Sequence, residues 1–543
     1  AMAYVRRTSS FVINRQYNPF YYEPIVNPLT QTYELRALND GSATSIGTVG
    51  SETLNYAESG KEVNSMIWAQ GALDYNRRFE KHDVGGMLIS YISSYESGAG
   101  GSVTGSLPQR NTGVSGRFTY GYDDRYMAEF NFGYNASERF ANGKKWGFFP
   151  SAGIAYRVSN EKFFKPLEKI VSDLKFRFTY GLVGNDQIGN VNDRFFYLSN
   201  LNLSDPVFGA SFGRNEGTGT YSRPGVAIYR YANPEISWEI SRQLNLGMDL
   251  RMFDNELELI VDAFKQFRSN ILMSRSNIDN TAGFMAIPVS NYGKAESRGI
   301  EVTLAYNKDI SKDLRVNPRG TFTYATNKRT VVDEIVYPES ISYRSMVNYP
   351  ISQQWGLIAE RLFVDQNEVA NSPLQYGDVG LLAGDIKYRD INKDGIINDD
   401  DLVPIGLPTV PEIIYGFGST INYKRFDLGF YFQGSARSSF FINPQNIQPY
   451  YRNGGFENGL LKVIADDHWS EDNPNLYAFW PRLSTWNVGP NNVRSTWWMR
   501  KGNFLRFKTL DAGYNFAVRK FKINSARVYF SATNLALWSS FKE

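Results

Sequence analysis

Large apolar and polar side chains alternate along much of this chain, and no other feature restricts its fold so tightly. In the stretch 114–122 the large groups fall on even numbers (Val114, Phe118, Tyr120, Tyr122). Beyond the turn Asp123-Asp124-Arg125 the beat resumes at Ala128, Phe130, Phe132 and Tyr134. The same rhythm returns at Leu174, Phe176, Phe178 and Tyr180, at Leu244, Leu246, Met248 and Leu250, and at Leu257, Leu259, Val261 and Ala263. It returns again at Ile300, Val302, Leu304 and Tyr306, and at Phe426, Leu428, Phe430 and Phe432. Successive side chains of an extended strand point to opposite faces, so each segment is a strand with one oily and one polar face. Roughly fifteen or sixteen such strands can be counted by alternation. The predicted fold is therefore all-β: a large antiparallel transmembrane β-barrel, with lipid outside and a wet lumen. Closing the sheet would remove edges that otherwise aggregate.

Composition agrees with a barrel and narrows the alternatives. Lys and Arg number 58 against 55 Asp and Glu, and the net charge of +3 gives no basic field of the kind nucleic acid requires. Aromatic residues make up 15% of the chain, with 35 Tyr, which suits girdles at two membrane interfaces. Mean hydropathy is -0.39 and the chain has no apolar run long enough for a membrane helix, whereas a barrel needs only alternate apolar residues. Cysteine is absent, which removes disulfides and thiolate chemistry. The opening Ala1-Met2-Ala3-Tyr4-Val5-Arg6 holds no apolar signal core, and the expectation is a fragment that starts inside a longer protein. Long polar, aromatic and Gly/Pro-rich stretches at 185–238, 330–412 and 435–500 read as extracellular loops opposite an end with short turns. Glu161 to Ser172 could form a short surface helix interrupted by Pro166.

One loop carries a metal-site spacing. In Asp390-Ile391-Asn392-Lys393-Asp394-Gly395-Ile396-Ile397-Asn398-Asp399-Asp400-Asp401, oxygen side chains occupy positions 1, 3, 5, 9 and 12, Gly fills position 6 and an aliphatic residue position 8. This is the spacing of an EF-hand calcium loop. Asp390, Asn392, Asp394, the Ile396 carbonyl, Asn398 and Asp401 could supply the hard oxygens that Ca²⁺ requires. Position 12 is Asp, whose carboxylate reaches less far than Glu, and no helix-forming segments flank the loop. The expectation is a structural calcium that staples a long loop; the alternative is a tight acidic turn, for which Asp and Asn are suited on their own.

Several segments together resemble SusC/RagA-type TonB-dependent outer-membrane transporters. Gly384-Asp385-Ile386-Lys387-Tyr388, the 390–401 loop and then Ile405-Gly406, Pro408 and Pro411 look like one family segment. Others follow in family order: Phe149 to Arg157, Leu174 to Asn185, Asn233 to Glu239 with Asn245 to Asp249, and Asn291 to Glu301. The series ends with His468-Trp469, Asn473-Pro474-Asn475 and Pro481-Arg482-Leu483, then Phe504 to Lys508 and Thr533-Asn534-Leu535. The match runs over 147–541; before residue 147 it rests mainly on the strand pattern. The resemblance implies energised import across the bacterial outer membrane, with a plug and a TonB-contacting N-terminal region upstream and a SusD-like lipoprotein lid. It implies an oligosaccharide cargo in most members and a peptide in some. Plugged transporters have twenty-two strands, so residues 1–543 would be a partial barrel, with 384–406 a calcium-loop-like insertion in an extracellular loop.

Tyr450, Tyr451, Trp469, Trp480, Trp497 and Trp498 gather in one late loop and are candidates to line a glycan path or the lid interface. Large loops also pack on themselves, and that structural role is the one expected of most of these rings. No catalytic residues are assigned: His82 and His468 are the only histidines, and neither sits in a catalytic motif. Two rival readings remain, a passive porin and a soluble β-rich glycan hydrolase.

Overall fold

The computed structural model describes the chain except residues 1, 17, 99–102, 190–193, 216–218, 378–379, 451, 454–455, 486, 517–524 and 542–543. Fifteen strands follow one another as nearest neighbours in a continuous antiparallel meander. They are β1 (Met2–Gln16), β2 (Asn55–Phe79), β3 (His82–Ser97), β4 (Gln109–Tyr122), β5 (Tyr126–Ser137), β6 (Trp146–Arg157), β7 (Val171–Asn185), β8 (Glu239–Met252), β9 (Leu257–Ser274), β10 (Val289–Tyr306), β11 (Leu314–Val331), β12 (Ile413–Tyr423), β13 (Phe426–Ala436), β14 (Phe504–Phe516) and β15 (Ala526–Ser539). A short strand, Lys308–Ser311, pairs beside β11 and completes a 16-stranded sheet. Among the described residues β1 pairs only with β2 and β15 only with β14, so the sheet has two free edges.

The register turns the alternation into two faces. One lateral row runs Val84–Tyr120–Ala128–Ile154–Phe178–Leu246–Ala263–Ile300–Tyr324, from β3 to β11, with every member directly opposite the next. A neighbouring row on the opposite face runs Arg117–Asn131–Ser151–Gly181–Gln243–Gln266–Ser297–Asn327. The apolar row is open to the surroundings, Ile154 at 62% and Leu246 at 55% exposed. Behind it no core is packed. Among the described residues of the fifteen strands the buried hydrophobic side chains are Ala136 and Ala295, and every large buried one lies in a connection. A broad oily band over a polar opposite face is a lipid-facing wall.

Connections alternate in length. At one end β2–β3, β4–β5, β8–β9 and β12–β13 turn tightly. Asp123 and Asp124 both take φ +53° in the three-residue turn Asp123-Asp124-Arg125, which reverses the chain without glycine. At the other end 186–238, 332–412 and 437–503 are long, as expected. The predicted helix at 161–172 is instead two 3₁₀ turns, Val158–Asn160 and Lys162–Leu167, followed by β7 at Val171. Pro166 supplies no N–H and the segment is too short to propagate an α-helix.

The two faces make a direct prediction. In the whole protein, Leu246→Arg should destabilise the barrel in a bilayer by about 2–4 kcal/mol, the cost of a cation near the membrane midplane. Asn245→Arg, one residue away on the polar face, should cost far less; denaturant unfolding in liposomes measures both.

Candidate functional site

The long-loop end is built from two connections that fold together. In 332–412 and 437–503, short strand pairs form at Gln354–Gly356 with Val403–Ile405, Ala359–Leu362 with Ile386–Tyr388, and Ser439–Phe441 with Met499–Lys501. Between them lies a common core of Leu357, Leu362, Ile386, Tyr388, Ile397, Ile464, Trp469, Ala478, Trp480 and Trp498. A smaller core of Phe140, Ile188, Phe196 and Ile236 sits under the neighbouring connections.

The Gly384 to Tyr388 segment ties the two connections together, and each residue has a part. Gly384 takes φ +83°, and a Cβ there would lie 2.3 Å from the Trp469 ring, so only glycine lets the indole pack flat on this backbone. Asp385 is fully buried: its Oδ1 accepts from Asn491 Nδ2 at 2.9 Å, its Oδ2 from the Leu382 N–H at 2.8 Å, and Arg482 Nε lies 2.8 Å away. Burial pushes the Asp385 carboxyl above its ordinary value, against the pull of Arg482. Asn491 closes the circuit by accepting from the Ile386 N–H at 2.9 Å, while its backbone carbonyl accepts from Trp498 Nε1 at 2.7 Å. Ile386 and Tyr388 point into the core, and the Tyr388 hydroxyl donates to the Pro490 carbonyl at 2.7 Å. Lys387 turns outward to Glu368 at 2.9 Å.

Glu368 pins the helix Gln366–Ala370 to this sheet. It accepts from Arg361 Nη1 and Nη2 at 2.9 and 2.6 Å and from the Val364 N–H at 2.9 Å, and Asp365 caps the helix by accepting from the Glu368 N–H. Hydrogen bonding from Arg361 first, then from Val364 and Lys387, pulls its carboxyl from 4.5 down to about 2.

The six aromatic candidates separate. Trp469, Trp480 and Trp498 are buried in the shared core, Trp480 and Trp498 with ring centroids 5.1 Å apart, and Trp497 packs partly buried against them. Trp469, Trp480 and Trp498 are thus closed into the core, as large self-packing loops require, while Trp497 keeps part of its ring open. Tyr450 is exposed at 46% with φ +61°, and Tyr451 lies outside the described residues.

The acidic loop has the predicted turns, with Gly395 at φ +86° and Ile397 buried at position 8. Its oxygens accept backbone N–H groups. Asp390 takes those of Lys393 and Gly395, Asn392 that of Asp394, Asp394 that of Ile396, Asn398 that of Asp400, and buried Asp401 those of Ile391 and Asn398. Among the described residues no three His, Asp or Glu side chains converge at metal-binding distance. The donor set remains one of oxygens alone, the chemistry of a hard cation.

On the polar face of the sheet the structure adds a feature that sequence reading missed. Arg177 of β7 reaches Asp249 of β8 at 2.8 Å and Asp262 of β9 at 3.1 Å. Gly247 stands between them; a Cβ there would meet the Arg177 Cζ at 2.6 Å. Arg117 pairs with Glu129 at 2.6 Å on the same face, and a concavity of about 920 Å³ lies along this wall. Both histidines have structural partners: His82 Nδ1 lies 2.8 Å from the Tyr120 hydroxyl, and His468 Nδ1 lies 3.0 Å from the Ile464 carbonyl.

Residues 3–535 match the family described as TonB dependent receptor-like, beta-barrel. The chain belongs to that family. It is 26% identical to the TonB-dependent receptor P26 of Formosa agariphila, over 98% of this chain and 54% of that protein. To the TonB-dependent receptor SusC of Bacteroides thetaiotaomicron it is 25% identical, over 80% of this chain and 41% of that one. The structure of the RagAB peptide transporter superposes with a TM-score of 0.63 at 19% identity, covering 89% of this chain and 52% of that one. The SusC/RagA resemblance thus holds in sequence and in fold, and the barrel is an outer-membrane one. The chain spans about half the length of the curated relatives it matches.

The Glu368 clamp predicts a pH window. Its carboxyl is lower in the folded loop than in an unfolded chain, so its contribution is complete above about pH 4.5 and is lost as pH falls toward about 2. Hydrogen exchange of amides 362–388 should show on the order of 1–3 kcal/mol of local stability disappearing across that range. Glu368→Gln should start less stable and flatten the dependence.

Proposed function

We propose that the whole protein of which this chain forms a barrel portion imports an oligomeric nutrient across the outer membrane, driven by TonB. A SusD-like lipoprotein closes the long-loop mouth. The observation that carries this reading is the family match over residues 3–535 on a sheet whose inner row is polar and whose outer row is oily. The polar row from Arg117 to Asn327 supports it, since a wall that is oily on one side and polar on the other suits a water-filled passage. In this reading the TonB complex acts through the N-terminal region of the whole protein, and the chain carries out no bond chemistry. Oligosaccharide is the cargo class the resemblance implies for most members; peptide is the second.

Uptake of labelled oligosaccharides and peptides by cells expressing the whole protein tests the proposal. Uptake should cease when TonB is deleted or the proton gradient is collapsed, and should fall when the lid gene is removed. Passage that continues without TonB would mean a passive porin; shortened products made by the purified protein would mean a hydrolase.

We further propose a structural Ca²⁺ in the 390–401 loop, held by Asp390, Asn392, Asp394, the Ile396 carbonyl, Asn398 and Asp401. The left-handed turn at Gly395 and the oxygen-only donor set support it. Chelator, or Asp390→Ala with Asp394→Ala, should lower the temperature at which this loop becomes protease-sensitive. No change with chelator, together with no heat of Ca²⁺ binding, would leave the loop as an acidic turn.

A further inference from the structure

Among the described connections of the short-turn end, 158–170 between β6 and β7 is the longest, and its surface is unlike that of a solvated turn. Phe164 is buried, while Phe163 is 69% exposed and Leu167 and Ile170 each 50% exposed. Interleaved with them are Lys162, Lys165 and Lys169, all exposed and none in an ion pair among the described residues; the two acids of the segment are Glu168 and Glu161, the latter paired with Arg125. Glu161 fixes where this strip hangs. Its Oε1 accepts from the Tyr126 hydroxyl at 2.8 Å and its Oε2 from Arg125 Nη1 at 3.0 Å. Tyr126 stacks on Tyr156 with centroids 5.2 Å apart and planes within 7°, and the register carries this pair on to Phe176 on the oily face. The strip is therefore continuous with the lipid-facing wall. Directly beside it, Tyr126, Tyr156, Phe176, Phe178 and Leu246 enclose an apolar groove of about 450 Å³ with Ala128 among its lining.

We propose that residues 158–170 form an interfacial anchor that seats on the periplasmic leaflet of the outer membrane and holds an anionic phospholipid there. One acyl chain lies in the Ala128 groove and the headgroup phosphate sits among Lys162, Lys165 and Lys169. Two observations select this occupant over a protein. The apolar side chains and groove continue a surface that already faces hydrocarbon, and the unpaired lysines complement an anionic headgroup at that depth. The tyrosine pair belongs to the interface belt, where a ring with a polar tip is stable, and Glu161 uses that tip to hold the strip down.

The inference rests on the membrane reading of the barrel, and the test separates the two. Because the chain has no cysteine, Phe163→Cys and Leu246→Cys each give one labelling site in this chain for a polarity-sensitive dye. The whole protein is placed in nanodiscs of phosphatidylethanolamine, with or without phosphatidylglycerol. The dye at both positions should be blue-shifted and quenched by brominated lipid. Native mass spectrometry should show phosphatidylglycerol retained in preference to phosphatidylethanolamine. Lys162→Gln, Lys165→Gln and Lys169→Gln together should lower that preference by roughly tenfold, each basic side chain at a charged surface being worth a several-fold factor. Inorganic phosphate in the buffer should not compete. A dye that reads water at 163 but lipid at 246, or a preference unchanged in the triple variant, would overturn the anchor and leave the barrel standing. Water at both positions would remove the membrane reading itself.

Discussion

Hydrocarbon offers backbone N–H and C=O groups no partner, and every part of this structure follows from that constraint. A strand can cross only if its neighbours satisfy it on both sides, so the chain runs as a meander in which each of fifteen strands pairs with the next. Pairing alone does not select a face. The face is selected by register: a slip of one residue would carry Phe178 and Leu246 inward and bring Gln243 and Gly181 to the lipid. The hydrophobic row from Val84 to Tyr324 therefore depends on the hydrogen-bond ladder, and it in turn holds the ladder in one register.

The polar face has its own bracing. Arg177 spans three strands because Gly247 leaves room for the guanidinium to pass between β7 and β9. Both its carboxylate partners are multidentate contacts, which fix direction as well as charge. At the mouth the logic is inverted. The long connections meet water on their outside and so must bury a core of their own, and three indoles with the Asp385–Asn491–Arg482 cluster supply it. A buried carboxylate is a costly element unless its partners are all present, which makes this cluster a device for holding two distant connections in one arrangement. The shape of the long-loop mouth is set by that joint.

What could be read from the sequence is what repeats locally. Strand positions, the polar or oily assignment of each face, the tight turns and the three long connections all follow from period-two patterning within ten or so residues. The pairing of Asp385 with Asn491 and Arg482 could not, because these residues lie about a hundred positions apart and carry no mutual signal until the loops fold. The Gly384-Asp385-Ile386-Lys387-Tyr388 and Pro481-Arg482-Leu483 segments were visible as family likeness; the structure shows that they touch. Trp469, Trp480 and Trp498 illustrate the converse. An indole that stacks on a ligand and one that fills a core look alike in sequence, and only burial distinguishes them. The meeting of Arg177 with Asp249 and Asp262 is hidden for a similar reason, since in sequence they are three ordinary charges on the polar beat of separate strands.

Which side of the sheet meets lipid decides the role of every strand. The most direct measurement is a single-cysteine scan of residues 174–182 in β7, in the whole protein embedded in a bilayer, with a membrane-impermeant thiol reagent. Positions 175, 177, 179 and 181 should react from the aqueous lumen while 174, 176, 178 and 180 are protected. Equal reactivity along the strand, or protection of the odd positions, would contradict it.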